Sequence, residues 1–226
     1  ILKGDVNPSG RTVDTFVKDL QQTPYINNIG NHSYSNVDDL KKAIVAADES
    51  AEGNISFVNY AEGIYTGYKF YETAAEEGFL NYEDTVQYPF GYGLSYTSFT
   101  QSMENFKDNG NQLSFDVEVK NTGKVAGKDV VQVYFTPPYY NGGIEKSAVN
   151  FIDFGKTKLL NPGESEKLSF TINKEDLVSY DSEGIKVKGG GYILEAGDYK
   201  ISIRENSHKE IASESFTVAE DIDYSK

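Results

Sequence analysis

Carboxylates are the most abundant side chains in this sequence that could do chemistry. Its 226 residues include 35 aspartates and glutamates. Two carboxylates about 5 Å apart can cleave a glycosidic bond with retention of configuration, and two roughly 6.5–9.5 Å apart can do so with inversion. Asp5, beside a turn, and Glu62, between Tyr60 and Tyr65, have the most distinctive surroundings. Each also has an ordinary reading, as a turn aspartate bonded to its own backbone or as a solvated glutamate. The residues alone therefore assign no catalytic carboxylate.

Other catalytic and metal-binding patterns are weaker. The segment GLSYT at 93–97 does not fit the G-x-S-x-G elbow of a serine hydrolase. The two histidines, His32 and His208, are isolated among polar residues, which favours surface roles over metal ligation. The segments at 108–111 and 181–184 lack the twelve-residue ligand series of a calcium loop, so we predict hairpin turns there. We expect no metal site and no cofactor.

Composition narrows the class of protein and of partner. The formal net charge of −14 disfavours nucleic acid and anionic membrane surfaces as partners. The absence of cysteine excludes disulfides, cysteine nucleophiles and thiolate metal sites. No apolar run approaches the length of a membrane span. Location stays open between the exterior and the cytoplasm of a bacterium, because the sequons at Asn31 and Asn54 are too common to indicate secretion.

Alternating apolar and polar residues in the second half predict β-strands. The run from Leu113 to Lys120 alternates strictly, which is typical of a strand with one buried face. The run KDVVQVYF at 128–135 is apolar enough on both sides to be a central strand. Further strands are predicted at 168–172, 192–194, 199–203 and 211–218. Short strands separated by glycine, proline and asparagine indicate an immunoglobulin-like or fibronectin-like antiparallel sandwich.

The first hundred residues have a different character. A helical stripe of Val37, Leu40, Ile44 and Ala47 predicts one helix, with Ser35 or Asn36 as a possible N-cap. The rest lacks enough regular apolar pattern for a core of its own, so we expect this half to pack on the sandwich or on another body. The initial residues contain no methionine and no signal-peptide pattern, and we expect the chain to begin partway through a domain.

Aromatic residues are concentrated in two segments of that half. Five rings lie within twelve residues, at Tyr60, Tyr65, Tyr68, Phe70 and Tyr71. A flat ring with a hydroxyl suits the apolar faces and hydroxyl edges of a sugar, but it equally suits a joint packed on a neighbour. The second segment, YPFGYGLSYTSF at 88–99, combines proline and two glycines with rings, which indicates an irregular but rigid backbone.

Three separated motifs follow one another along the chain: GDVNPSGRTVDTF at 4–16, NYAEGIYTGYKFYET at 59–73 and the segment at 88–99. In their wording and order they resemble the C-terminal region of glycoside hydrolase family 3, the β-glucosidase and β-xylosidase family. The segments VKNTGKVAGKDVVQVYFTPP, LLNPGESEKLSF and DLVSYD are similar to its fibronectin type III-like domain. The stretch from 17 to 58 has little match and is interpreted as an insertion.

The resemblance implies a fold class and a division of the chain. The expected fold is mainly β: a fibronectin III-like antiparallel sandwich preceded by an incomplete α/β segment and an irregular, aromatic-rich connector. Residues 1–97 would be the end of the α/β sandwich domain with its connector, and residues 98–226 the fibronectin type III-like domain. The segment at 88–99 would be the joint that fixes the angle between the two.

The resemblance also implies a function. Family members hydrolyse terminal β-glycosidic bonds with retention, using an aspartate from a (β/α)8 barrel and a glutamate from the α/β domain. No position here matches either acid, so the chain would brace the catalytic domains by packing on them and would be inactive alone. Its partner would be a β-glucoside or another oligosaccharide, bound through the parent enzyme, with Tyr65 and Tyr71 as candidate sugar contacts. The alternative is a non-catalytic carbohydrate-binding or adhesion module, which has no reason to carry the motif at 4–16.

Overall fold

The structure, a computed structural model, describes residues 1–28, 33–47 and 56–225. The predictions concerning His32, Asn31 and Asn54 lie outside the described residues. None of the helices within those ranges has the length and apolar character needed to cross a membrane.

Strands dominate the described chain. Three α-helices are α1 (Val37–Ala47), α2 (Tyr68–Glu76) and α3 (Tyr82–Thr85), and three short 3-10 helices are Leu20–Gln22, Ile26–Asn28 and Lys174–Leu177. The strands are β1 (Phe16–Val17), β2 (Val86–Tyr88), β3 (Phe99–Asp108), β4 (Gln112–Asn121), β5 (Val130–Thr136), β6 (Asn150–Lys156), β7 (Ser165–Asn173), β8 (Ser179–Asp181), β9 (Gly191–Leu194), β10 (Gly197–Arg204), β11 (Glu210–Val218) and β12 (Ile222–Asp223).

Two antiparallel sheets form the predicted sandwich. One sheet has the strand order β3-β4-β7, and the other has the order β11-β10-β5-β6. A third, smaller sheet has the order β12-β9-β8. In the N-terminal region (residues 1–97), β1 pairs with β2. The mainly β, antiparallel fold class is confirmed.

The main core follows from the alternation read in the sequence. Leu113, Phe115, Val117 and Val119 of β4 are buried, while the residues between them are more exposed. They pack against apolar side chains of β5, β7, β10 and β11 in one cluster. Burying a side chain of this size contributes about 1.5–3 kcal/mol. The sandwich is therefore held together by the apolar faces that the sequence predicted.

Strand β5 is covered on both faces, as its sequence predicted. It lies between β10 and β6, and six of its seven residues are buried. Val131 and Val133 face the sandwich core, whereas the buried Gln132 and Tyr134 contact residues of the N-terminal region. Strand β5 thus joins the two halves of the chain.

Some elements were not predicted from the sequence. Strand β3 (Phe99–Asp108) precedes the alternating run that begins at Leu113, and neither β3 nor β6 was predicted. β3 contains Asn105 in a left-handed conformation (φ 56°), where the register with β4 shifts. Such a bulge interrupts the two-residue period, because an extra residue on one strand reverses the faces beyond it.

The N-terminal region (residues 1–97) contains the predicted helix α1 and a second helix, α2, that the sequence analysis did not predict. Tyr71, Tyr82 and Val86 form a small buried cluster of their own. The expectation that this region lacks a core is thus only partly met. The region also packs on the sandwich, because Tyr68 of α2 contacts the ring of Tyr134.

The segment at 88–99 is an irregular connection packed on the sandwich. The ring of Phe90 contacts those of Tyr68 and Phe151, with centroids 4.7 Å and 5.5 Å away. Gly91 has a φ of +81°, and a Cβ there would lie 2.0 Å from the Oε1 of Gln132. Only glycine fits this conformation so close to another side chain.

Candidate functional site

A groove separates the N-terminal region from the loop that joins β5 to β6. The cavity has a volume of about 970 Å³. Its aromatic lining consists of Tyr65, Phe70, Phe79 and Tyr139, and its acidic lining consists of Glu62, Glu76 and Glu77. Rings interspersed with hydrogen-bonding groups are suited to an amphipathic ligand or to an apolar segment with polar ends.

Tyr65 lies in the wall of this groove and is tied to the opposite wall. Its hydroxyl group donates to the carboxylate of Glu145 and lies 3.5 Å from the backbone oxygen of Lys146. Burial, with this carboxylate next in effect, raises the pKa of the Tyr65 phenol above its ordinary value. The tyrosine therefore stays protonated and bridges the two walls.

A buried ion pair holds the loop between β5 and β6 that forms one wall of the groove. Lys146 lines the groove, and its Nζ atom binds the carboxylate of Glu195 and donates to the backbone oxygen of Pro138 at 2.6 Å. Burial lowers the pKa of the Lys146 ammonium group. Lys186 lies 2.8 Å from the second oxygen of Glu195. Removing one partner of such a pair costs about 3–5 kcal/mol, so the loop position depends on these charges.

Tyr71 lies in a different environment from Tyr65. Only 2% of it is exposed, in the cluster with Tyr82 and Val86, and it does not line the groove. Burial raises the pKa of its phenol to about 12. The structure therefore places one of the two predicted tyrosines in the groove wall and the other in the small core.

The two candidate carboxylates, Asp5 and Glu62, lie in different environments. Asp5 is exposed, and Glu62 accepts a hydrogen bond from the side chain of Asn28 at 2.8 Å in the groove lining. Across residues 1–28, 33–47 and 56–225, no three His, Asp or Glu side chains are placed to hold a metal ion. The hairpin turn predicted at 108–111 joins β3 to β4, whereas residues 181–184 are not a tight turn, because they lead into a nine-residue loop from β8 to β9.

Sequence analysis missed a polar cluster between helix α2 and the loop after β10. The buried Glu72 accepts a hydrogen bond from the Oγ of Ser207 at 2.7 Å, and its other oxygen lies 2.9 Å from the Nδ1 of His208. The imidazole stacks on the ring of Tyr82 at a centroid distance of 3.6 Å. His208 is exposed, as the predicted surface role requires, but it is not isolated, because its ring contacts Glu72 and Tyr82. No local pattern in the sequence links these residues, because Glu72 and His208 are 136 positions apart.

Similar proteins match almost the whole chain. The model of the Fibronectin type III-like domain matches residues 129–207. Beta-glucosidase A of Butyrivibrio fibrisolvens is 35% identical over an alignment of 216 residues, and the match covers 88% of this chain and 22% of that protein. A beta-glucosidase of Ruminococcus albus is 36% identical over 200 residues, which are 88% of this chain and 18% of that protein. The chain spans about a fifth of the length of these relatives.

A solved structure extends the match to the fold. Beta-glucosidase 3B of Thermotoga neapolitana, in complex with glucose, superposes with a TM-score of 0.78 and 32% sequence identity. The match covers 100% of this chain and 27% of that one. The chain corresponds to the C-terminal region of glycoside hydrolase family 3. The motifs at 4–16, 59–73 and 88–99, which carry the resemblance to the family, all lie within the matched part of this chain.

Proposed function

We propose that this chain is part of a longer family 3 β-glucosidase, which hydrolyses terminal β-D-glycosidic bonds with retention. The observation that carries the proposal is the match of nearly the whole chain to about a fifth of proteins named beta-glucosidase. The remainder of such a protein would supply the barrel aspartate and the α/β-domain glutamate. The isolated chain would then be inactive.

In this proposal the chain braces the catalytic domains. Three contacts between distant parts of the sequence support a bracing role. The guanidinium group of Arg11 lies 2.6 Å from the carboxylate of Asp129, Glu72 binds His208, and Phe90 packs on Phe151. Each joins the N-terminal region to the sandwich, so a domain attached to the N-terminal region would be held at a fixed angle.

We also propose the boundary between the two parts at 97/98. The segment before it connects to the sandwich through the hydroxyl of Thr97, which donates to the side chain of Asn121 at 2.8 Å. Strand β3 begins just after it, at Phe99. Residues 1–97 would then complete the α/β domain, and residues 98–226 would be the fibronectin type III-like domain.

The proposed sugar contacts are Tyr65 and Tyr71. Tyr65 is the better placed of the two, because it lines an open groove with other rings and carboxylates. Tyr71 would act indirectly, since its buried ring contacts that of Phe70, which also lines the groove, at a centroid distance of 5.2 Å. The groove likewise favours the second candidate function, a non-catalytic carbohydrate-binding module.

The stereochemistry of hydrolysis tests the first candidate. The longer protein is mixed with an aryl β-glucoside, and the anomer of the released glucose is followed by proton NMR before mutarotation. We expect β-glucose first, because double displacement through a covalent intermediate retains configuration. Initial release of α-glucose, or no hydrolysis together with glucan binding by the chain alone, would reject the proposal.

A further inference from the structure

We propose that the α2 side of the groove binds a segment of the longer protein in which a lysine or arginine adjoins an apolar side chain, while the Tyr65 wall stays open to the sugar. This inference rests on the proposed function, because the binding segment belongs to the polypeptide outside these residues. We call the surface the α2 rim; it consists of Phe70, Ala74, Glu76, Glu77 and Phe79.

An exposed ring held by ordered backbone is the first observation. The side chain of Phe79 is exposed, with 84% of the residue accessible. The backbone N–H of Phe79 donates to the oxygen of Ala74 at 2.8 Å, and Gly78, at a φ of +75°, turns the chain after α2. The ring is thus presented to solvent by a hydrogen-bonded helix end and not by a free tail. A single exposed ring is ordinary on a protein surface, so this ring indicates an interaction site only if apolar neighbours make it part of a contiguous patch.

Apolar neighbours extend the surface around this ring. Phe79 lines the groove together with Phe70 and Ala74, and all three also line a smaller hollow of about 320 Å³ with Leu80. Phe79 therefore borders two depressions. An apolar side chain docked in either depression would cover the ring of Phe79. The surface therefore has a shape that can accept one apolar side chain.

The charge of the rim determines what kind of segment fits. Glu76 and Glu77 line the groove with Glu62. The groove-lining cation, Lys146, is already paired with the buried Glu195. The field in the groove is therefore negative, which favours a cationic side chain and disfavours phosphate or acidic peptides. An arginine or lysine can also lie over an aromatic ring.

The length of the relatives supports a segment of the same protein as occupant. The chain spans 18–22% of the two relatives compared above, so most of such a protein lies outside the described surface. An intramolecular segment is present at high effective concentration, so a modest surface suffices. A second copy of this chain fits less well, because a net charge of −14 opposes association of two copies.

Hydrogen exchange in the longer protein and in the 226-residue chain tests the proposal. Amides at 74–80 should exchange at least about tenfold more slowly in the longer protein, because docking covers the helix end. Phe79→Ser and Glu77→Lys should each remove most of that difference without changing exchange in the 226-residue chain. Phe154→Ser is the matched control, since Phe154 is also exposed (61%) but lies on sandwich strand β6.

Two outcomes would overturn the proposal. Equal exchange rates at 74–80 in both proteins would show that nothing docks on the α2 rim. Slow exchange that appears in the 226-residue chain only as its concentration rises would assign the rim to a second copy instead. Hydrolysis of an aryl β-glucoside is measured on the same samples, so a failure of the proposed function is seen separately from a failure of docking.

Discussion

The Oε2 atom of Glu72 lies 2.9 Å from the Nδ1 atom of His208, although the two residues are 136 positions apart. Glu72 belongs to helix α2, and His208 belongs to the loop between β10 and β11. The contact therefore fastens the N-terminal region to the sandwich.

Glu72→Gln should destabilise the chain by about 1–3 kcal/mol. The substitution preserves size but replaces a buried carboxylate that accepts from Ser207, and hydrogen bonds to charged groups are worth about this much. Urea unfolding measures the change. Glu214→Gln is the control, because Glu214 is exposed on β11. Equal effects of the two substitutions would mean that the contact does not fasten the two parts.

Gly91→Ala should destabilise the chain by about 2–4 kcal/mol, through backbone strain and through overlap with Gln132. Gly110→Ala is a matched comparison. Gly110 has a φ of +84°, close to the +81° of Gly91, but a Cβ there would meet nothing within 4 Å. Gly110→Ala should therefore cost only the strain, about 1–2 kcal/mol. Equal losses in thermal unfolding would contradict the close packing of the joint.

Tyr65→Ala in the longer protein should raise KM for an aryl β-glucoside about fivefold, since an aromatic contact contributes about 1 kcal/mol. Tyr65→Phe keeps the ring but removes the hydroxyl that donates to Glu145, so it distinguishes the contribution of the ring to KM from that of the hydroxyl. Tyr71→Phe tests the buried tyrosine without opening a cavity. Tyr180→Ala, at an exposed ring of β8, is the control. An unchanged KM in Tyr65→Ala would remove this residue from the site.

Acid should weaken the loop that follows β8. Burial opposes ionisation of Asp181, but backbone N–H groups of the loop hold the pKa of its carboxyl below the ordinary value, among them those of Lys186 and Val187 at 2.7 Å and 2.9 Å. A lowered pKa in the folded state contributes stability that is present above the unfolded value, about 3.9, and is lost as pH falls below it.

Stability measured between pH 6 and pH 2.5 tests this expectation. Asp181→Asn should destabilise the chain at pH 6 and should reduce the fall in stability below pH 4. Asp84→Asn, at an exposed position of α3, is the control and should leave the pH profile unchanged. A profile of Asp181→Asn that is parallel to the wild-type profile would show that the Asp181 carboxylate contributes no such stability.

The sandwich could be predicted from the sequence because strands such as β4 bury only one face and therefore alternate between apolar and polar residues. Leu113 and Val117 mark such a face in the sequence itself, and β4 follows it closely. Helix α2 could not be predicted in the same way. It is only nine residues long, and Tyr68, Tyr71 and Glu72 pack against three different partners, so no single apolar stripe appears.

The groove was less predictable than the sandwich. Tyr65 was singled out by composition, but its partners in the opposite wall, Glu145 and Lys146, are about eighty positions away. Phe79 drew no attention because an isolated phenylalanine carries no pattern, and its exposure depends on the turn at Gly78. Contacts between distant residues depend on the packing of whole elements, which a single sequence does not encode in any local signal.

The most direct measurement is the rate at which the purified 226-residue chain hydrolyses an aryl β-glucoside, compared with that of the longer protein at equal molar concentration. Our account predicts turnover by the longer protein and none above background by the chain. Turnover by the chain alone would contradict it, because the reacting carboxylates would then have to lie among these residues.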